Sequence, residues 1–300
     1  VVLELPWDGM GAGDSPAVFA AVSSAGAGWS GAALFAEQPD LSLVPLGPSG
    51  RRRATIGQAD TPLGMASPHA LDFRNALVVS LIGPDIVLHD ATIAQLAMGA
   101  NRALLGCELI QFSRATPLGN GRWELTGLLR GRGGTEGGIA GHGPEERFVL
   151  IDEDLTPLDP AVVGDSAHTR IAALGLGDTT PVLAAVALAG ATQRPLSPVH
   201  GRLAVAADGA VVVAWTRRAR GAWLWREAVD VPLAEQTEAY VITLGDTAAP
   251  NAVWETTEPR LSIAAGLAAE LRAAAPGAPL SVRQRGTREL SGPHVIGPLP

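Results

Sequence analysis

Nine consecutive residues, Arg130 to Gly138, carry two arginines, five glycines and Glu136. Backbone N–H groups in such a loop can cradle an anion, with an arginine fork completing the cradle. A tight turn accounts for the same residues without a ligand, its arginine paired to a carboxylate such as Glu136 or one on a neighbouring chain. The turn is the preferred reading, because a lone glycine-rich loop is a weak signal. His142, in Gly141-His142-Gly143, is the best single histidine for special chemistry, yet a hydrogen-bonded turn histidine explains it too.

Other reactive groups lack partners at useful spacing. Glu145-Glu146 and Asp152-Glu153-Asp154 supply carboxylates, but glycosidase chemistry needs two of them ~5–10 Å apart across a cleft. Neighbours on a strand point to opposite faces, so a solvated loop fits better. Asp152, Asp154 and Asp159 lack the glycine and glutamate spacing of a calcium loop. The histidines make no helical zinc pair, and Cys107, the single cysteine, has no second thiol for a metal site or an internal disulfide. His89-Asp90 imitates two members of a triad, but no Gly-x-Ser-x-Gly elbow supplies the nucleophile. All 22 basic residues are arginine. A Walker-type phosphate loop and Schiff-base chemistry both need the missing lysine. No catalytic residue, metal or cofactor is expected.

Trp215, Trp223 and Trp225 cluster near one hairpin. Aromatic faces there could stack on sugar rings. Trp215 fits a sandwich core better, and Trp223 and Trp225 share strand parity, so they are candidates for a glycan or partner contact. Arg217, Arg218 and Arg220 read as a solvated or inter-subunit ion-pair face.

The elements behind these groups read as strands and turns. In the first half, Val1 to Leu5, Trp29 to Glu37, Asn75 to Ile82, Asp85 to His89, Ala103 to Ala115, Arg122 to Leu129 and Arg147 to Ile151 are strand-like. Ala17 to Ser23 suggests a short helix, and Ala91 to Ala100 has helical spacing. Gly119-Asn120-Gly121 between apolar runs is a strong hairpin signal. Asp152 to Pro198 looks less regular and ends in Arg194-Pro195-Leu196-Ser197-Pro198, which two prolines stiffen. Beyond it, Leu203 to Ala206 and Ala210 to Thr216 flank Asp208-Gly209, with Val211, Val213 and Trp215 on one face. Ala222 to Arg226, Glu238 to Leu244, Ala252 to Thr256, Leu280 to Arg285 and a strand near Val295 follow, with a helix from Ile263 to Ala274. The expected fold class is mostly β. A β-rich domain spans 1–160, an irregular connector 161–195, and a fibronectin type III-like sandwich 196–300.

Composition agrees. Hydrophobic residues are 47% of the 300, charged residues only 17%, and 36 glycines and 23 prolines imply many turns. A net charge of −8 argues against wrapping nucleic acid. No apolar run reaches the ~20 residues of a membrane-spanning helix. The chain opens at Val1 on an apolar run, so it is expected to be a piece of a longer polypeptide.

Leu128-Leu129-Arg130-Gly131-Arg132-Gly133-Gly134-Thr135-Glu136 resembles the LLRGRRGTE signature of phage tail proteins, including the large tail-tip (megatron) protein of gene transfer agents. Asn101-Arg102-Ala103-Leu104-Leu105-Gly106-Cys107-Glu108-Leu109-Ile110-Gln111-Phe112 is similar to that family's N-x-A-L-x-G-x-E-L-I-Q-F stretch. His142-Gly143 and Phe148-Val149-Leu150-Ile151-Asp152 follow in order, as do Arg194 to His200, Trp215 to Arg220, Val231-Pro232-Leu233 and Glu238-Ala239-Tyr240. Gly133 and Ala234 depart from the family pattern, leaving local contacts open.

The resemblance implies a structural, non-enzymatic component of the tail tip or baseplate of a phage-like particle. Such proteins form the distal hub, assembled in the bacterial cytoplasm and contributing to host-cell contact. It implies a homotrimer, other hub proteins and the host surface as partners. Arg130, Arg132, Glu136 and His142 become hub-interface loop residues. The alternative is a carbohydrate-binding module for surface polysaccharide, using Trp223 and Trp225.

Overall fold

A computed structural model describes residues 1–9, 13–26, 28–83, 85–221 and 233–300. They form two compact, mostly β units: Val1–Leu5 with Ser15–Thr192, and Pro6–Asp14 with Gln193–Pro300.

The first unit contains a closed antiparallel barrel. Its strands run Arg147–Leu150, Ile56–Ala59, Leu77–Leu81, Arg122–Leu129, Glu108–Gly119 and Arg102–Leu105, the last pairing back on the first. Closure leaves no open sheet edge. Alternation fills the interior: Leu77, Val79 and Leu81 from one strand, Ile110 and Phe112 from another, with Phe148 and Leu125. The hairpin at Asn120-Gly121 has positive φ at both residues, 54° and 73°, as a two-residue turn matched to strand twist requires.

Outside the barrel wall, Ile56, Leu104, Leu109 and Val149 pack on Leu3, Ala21 and Leu155. Those partners belong to or flank a seven-stranded sheet. Its order is Thr156–Pro157, Val18–Ala20, Val2–Glu4, Val182–Ala187, Arg170–Gly175, Ala32–Glu37 and Leu43–Pro48. One pair is parallel, Val2 opposite Val186 and Leu3 opposite Ala187. Pro45 and Pro48 remove donors from an edge strand, which blunts it against further pairing. Glu4 is fully buried; it accepts from the Ser166 hydroxyl at 2.6 Å and from the Gly190 and Thr192 amides at 2.8 and 3.0 Å.

Several expectations need correction. The connector expected over 161–195 instead contributes two strands, Arg170–Gly175 and Val182–Ala187, to the sheet. Their alanine-rich sequences carry little strand propensity; pairing on both sides supplies what propensity lacks. The β-rich region therefore runs past residue 160, to Thr192, without residues 6–14. The helix expected at Ala17 to Ser23 is the strand Val18–Ala20, paired on both sides. The run Ala103 to Ala115 is two strands turned at Gly106, whose φ is 56°. Asp85 to His89 forms no strand. The helix at Ile93–Ala97 is shorter than its apolar pattern and opens with a capping box between Thr92 and Gln95.

The second unit is a two-sheet sandwich. Val199–Val205, Val211–Thr216 and Arg260–Ile263 form one sheet. Pro250–Thr256, Tyr240–Gly245, Pro279–Gln284 and His294–Pro298 form the other. Three strands thus face four in a β-sandwich. Val211, Val213, Tyr240, Ile242, Leu280 and Val282 fill the space between the sheets, beside the helix Ala265–Ala274. Trp215 lies in that core, its ring 5.1 Å from the Tyr240 ring and edge-on at 69°. Such a pair adds ~1 kcal/mol beyond the area it buries. Among the described residues no helix is long and apolar enough to cross a membrane.

Candidate functional site

The arginine-glycine loop seals one end of the barrel with a buried ionic cluster. Glu108 begins its strand directly after the Gly106-Cys107 turn, in phase with the inward Ile110 and Phe112. Arg130 directly follows the neighbouring strand, Arg122–Leu129. Glu108 is 0% exposed and Arg130 1%. Arg130 Nε donates to Glu108 Oε1 at 2.9 Å and Nη2 to Oε2 at 2.8 Å, a two-pronged ion pair. Arg130 Nη1 donates to the Gly64 carbonyl at 2.8 Å and lies 3.6 Å from Asp72 Oδ2.

The loop then folds over the pair. The Gly131 amide donates to Glu108 Oε1 at 2.6 Å. Its φ is 58°, and a Cβ there would sit 2.8 Å from the Glu136 Cα, so the close approach demands glycine. The Thr135 hydroxyl accepts from the Leu109 amide at 2.9 Å and donates to the Arg132 carbonyl at 2.8 Å. Gly133 has φ 65°, a conformation in which a side chain is strained.

His142 enters from the far side of the loop, its side chain 1% exposed. Nε2 lies 2.6 Å from Glu108 Oε2, and Nδ1 lies 2.6 Å from Glu146 Oε2. The ring thus bridges the two carboxylates.

Burial also sets the charge of Asp72. Removal from water pushes its carboxyl up. Hydrogen bonds from the Asn75 side chain and amide and from the Arg74 amide, together with the Arg130 charge, outweigh that and hold it below the usual carboxylate range.

The structure thus brings together two of the four expected loop residues, Arg130 and His142, on one carboxylate. That carboxylate is Glu108 of the same chain, not Glu136 or a neighbour's: Arg130 is enclosed by its own barrel. Arg132 is half-buried and donates from Nε to Gln111 Oε1 at 3.0 Å. Gln111 in turn donates to the Leu96 and Ala100 carbonyls at 2.8 and 2.7 Å, tying the loop to the short helix. Glu136 heads a 3-10 turn and packs its backbone on Gly131. Glu108, Glu146, Asp72 and Gln111 were not expected in the cluster. A charged residue in core phase with Ile110 and Phe112 is the sequence signal for Glu108, since a buried charge needs a partner.

With Glu108, Arg130 and the His142 side chain closed to solvent, no reactant reaches them in this conformation. What the cluster does is hold the loop on the barrel. Among the described residues no group of three or more His, Cys, Asp or Glu side chains is placed to hold a metal ion. Asp152 and Asp154 form a turn, and Arg52 pairs with Glu153 at 2.7 Å. Trp223 and Trp225, the candidate glycan contacts, lie outside the described residues. Arg220 is no surface ion-pair residue: it is mostly buried, donates to Glu235 at 2.7 Å and lies 5.4 Å over the Trp7 ring.

No curated protein sequence matches the chain. Solved structures with some likeness include titin domains A168–A170, 11% identical, with a TM-score of 0.23 over 80% of this chain and 96% of that one. The chicken CNTN1 FN1–FN3 domains are also 11% identical, with a TM-score of 0.23 over 99% of this chain and 95% of that one. A protein-family model described as Rcc01698-like, C-terminal, matches residues 54–149, a span that holds all six barrel strands, save the last residue of Arg147–Leu150, and the loop that seals them.

Proposed function

We propose that the chain is a structural, non-enzymatic part of the tail tip or baseplate of a phage-like particle of the gene transfer agent type. It forms part of the distal hub and contributes to host-cell contact. The observation that carries this reading is the arginine-glycine signature loop, whose charges are turned inward on Glu108 rather than presented to a substrate. A loop locked this way serves as a rigid building block. The ordered motifs from about residue 70 to the C-terminal part support it. So does the family match over 54–149, a family linked by its name to gene transfer agents. As a hub component the chain assembles as a trimer with other hub proteins, through large well-packed interfaces.

Electron microscopy of purified particles, labelled with an antibody against residues 196–300, tests the reading. Label at the distal end of tails is the expected result. Label on heads, or producing cells without particles, would overturn it.

A further inference from the structure

A cavity of about 510 Å³ in the second unit is lined by Arg194, Arg283, Arg288, Glu289, Leu290 and Gly292. The lining residues include three arginines and one glutamate. In a chain of net charge −8 that concentration of positive charge runs against the whole.

Hydrogen bonds fix the backbone on one side of the cavity. The turn after strand Pro279–Gln284 is pinned by the Gly286 amide on the Glu289 carbonyl at 2.8 Å and by an Arg285–Leu290 bridge. Thr287 is held from both sides: its amide donates to Glu235 at 2.7 Å, and its hydroxyl accepts from the Gln236 amide at 3.0 Å. Fully buried Ser291 accepts from the Gln284 amide at 2.8 Å. The Ser291 carbonyl takes Arg283 Nε at 2.9 Å, which fixes the direction of that guanidinium. Ser197 donates to the Gly292 carbonyl at 2.9 Å and brings the segment of Arg194 alongside. Arg194 and Arg283 are half-buried, where water screens a bound charge less than at the open surface.

We infer that this cavity is an anion site for a phosphate group, free or carried on a sugar. Guanidinium forks match phosphate oxygens in pairs, and phosphate is the anion that such arginines hold best. The site does not depend on the tail-tip reading and would stand if that reading failed.

The test is an NMR titration of the full 300-residue chain at constant ionic strength, set with chloride. The added solutes are inorganic phosphate, glucose 6-phosphate and glucose. Saturable shifts at the Ser291 and Gly292 amides and the Arg283 Nε–H are expected with both phosphates and not with glucose. Arg288→Gln, on the exposed turn, and Arg194→Gln should each weaken binding about tenfold with the spectrum otherwise intact. Tighter binding of glucose 6-phosphate would assign a phosphorylated sugar, and equal binding would assign free phosphate. Non-saturating shifts matched by chloride, saturation by glucose alone, or full affinity in both variants would overturn the site.

Discussion

Arg130 and Glu108 meet as a two-pronged ion pair with both side chains sealed from water. Burying two charges costs several kcal/mol per ion, which attraction and added hydrogen bonds must offset. Here Gly131, Gly64 and His142 supply those bonds. Removing one partner strands the other. Arg130→Met is expected to destabilise the first unit by about 3–5 kcal/mol. The double variant Arg130→Met with Glu108→Leu should lose less than Arg130→Met alone. Hydrogen exchange of peptides spanning 102–150 separates this unit from the second. A double variant worse than the single would show that the charges are not mutually compensated.

His142 bridges Glu108 and Glu146 through its two ring nitrogens. His142→Phe removes both contacts and should raise amide exchange at Gly131 and Gly143 at least tenfold. Unchanged exchange would mean the loop is held without the histidine.

Gly131→Ala places a Cβ against the Glu136 backbone at positive φ, where neither side can yield cheaply. A loss of about 1–3 kcal/mol is expected, read from the same peptides. A neutral result would show that the loop can shift away.

Asp72 gives the first unit an acid limit. Its folded carboxyl lies below the unfolded value of ~3.9, so the folded state binds its proton less readily. The stabilisation is present above that unfolded value and is lost as pH falls through the folded one. Asp72→Asn should cost stability at neutral pH, and the gap to the parent should close below about pH 4. A constant gap across that range would remove the charge from the explanation.

Tyr240 gives the second unit an alkaline limit of opposite sign. Burial, then the hydrogen bond and charge of Glu238, push its phenol far above the ordinary ~10. Stability is full below ~10 and is lost as pH rises toward the folded value. Tyr240→Phe keeps the ring against Trp215, should cost about 1 kcal/mol near neutrality, and should flatten the alkaline limb. An unchanged alkaline limb would exclude the phenol as its source.

How far these sites could be read from sequence depends on how each element earns its place. Val211, Val213 and Trp215 alternate, and Asn120-Gly121 requires positive φ, so the sandwich core and the barrel hairpin were legible. Ala172 and Ala184 have no comparable signature; their strands exist because neighbours on both sides accept them. The parallel pairing of Val2 with Val186 leaves no local trace at either end. Glu108 was visible as a motif letter, but its partner Arg130 lies 22 residues away across a hairpin, and only the strand register brings the two together.

That parallel pairing has a consequence for biogenesis. Strand Val2–Glu4 cannot complete its ladder until Val186 and Ala187 have left the ribosome. At ~5–20 residues per second, the apolar run around Leu3 waits roughly ten to forty seconds for its partner. The barrel, whose strands lie between residues 56 and 150, is complete before then and can act as the template on which Leu3 first docks, through Leu104 and Val149. The first unit is therefore a late-closing clasp, and nascent chains stalled with residue 150 outside the ribosome but residue 182 still inside it should hold a finished barrel and an unfinished sheet.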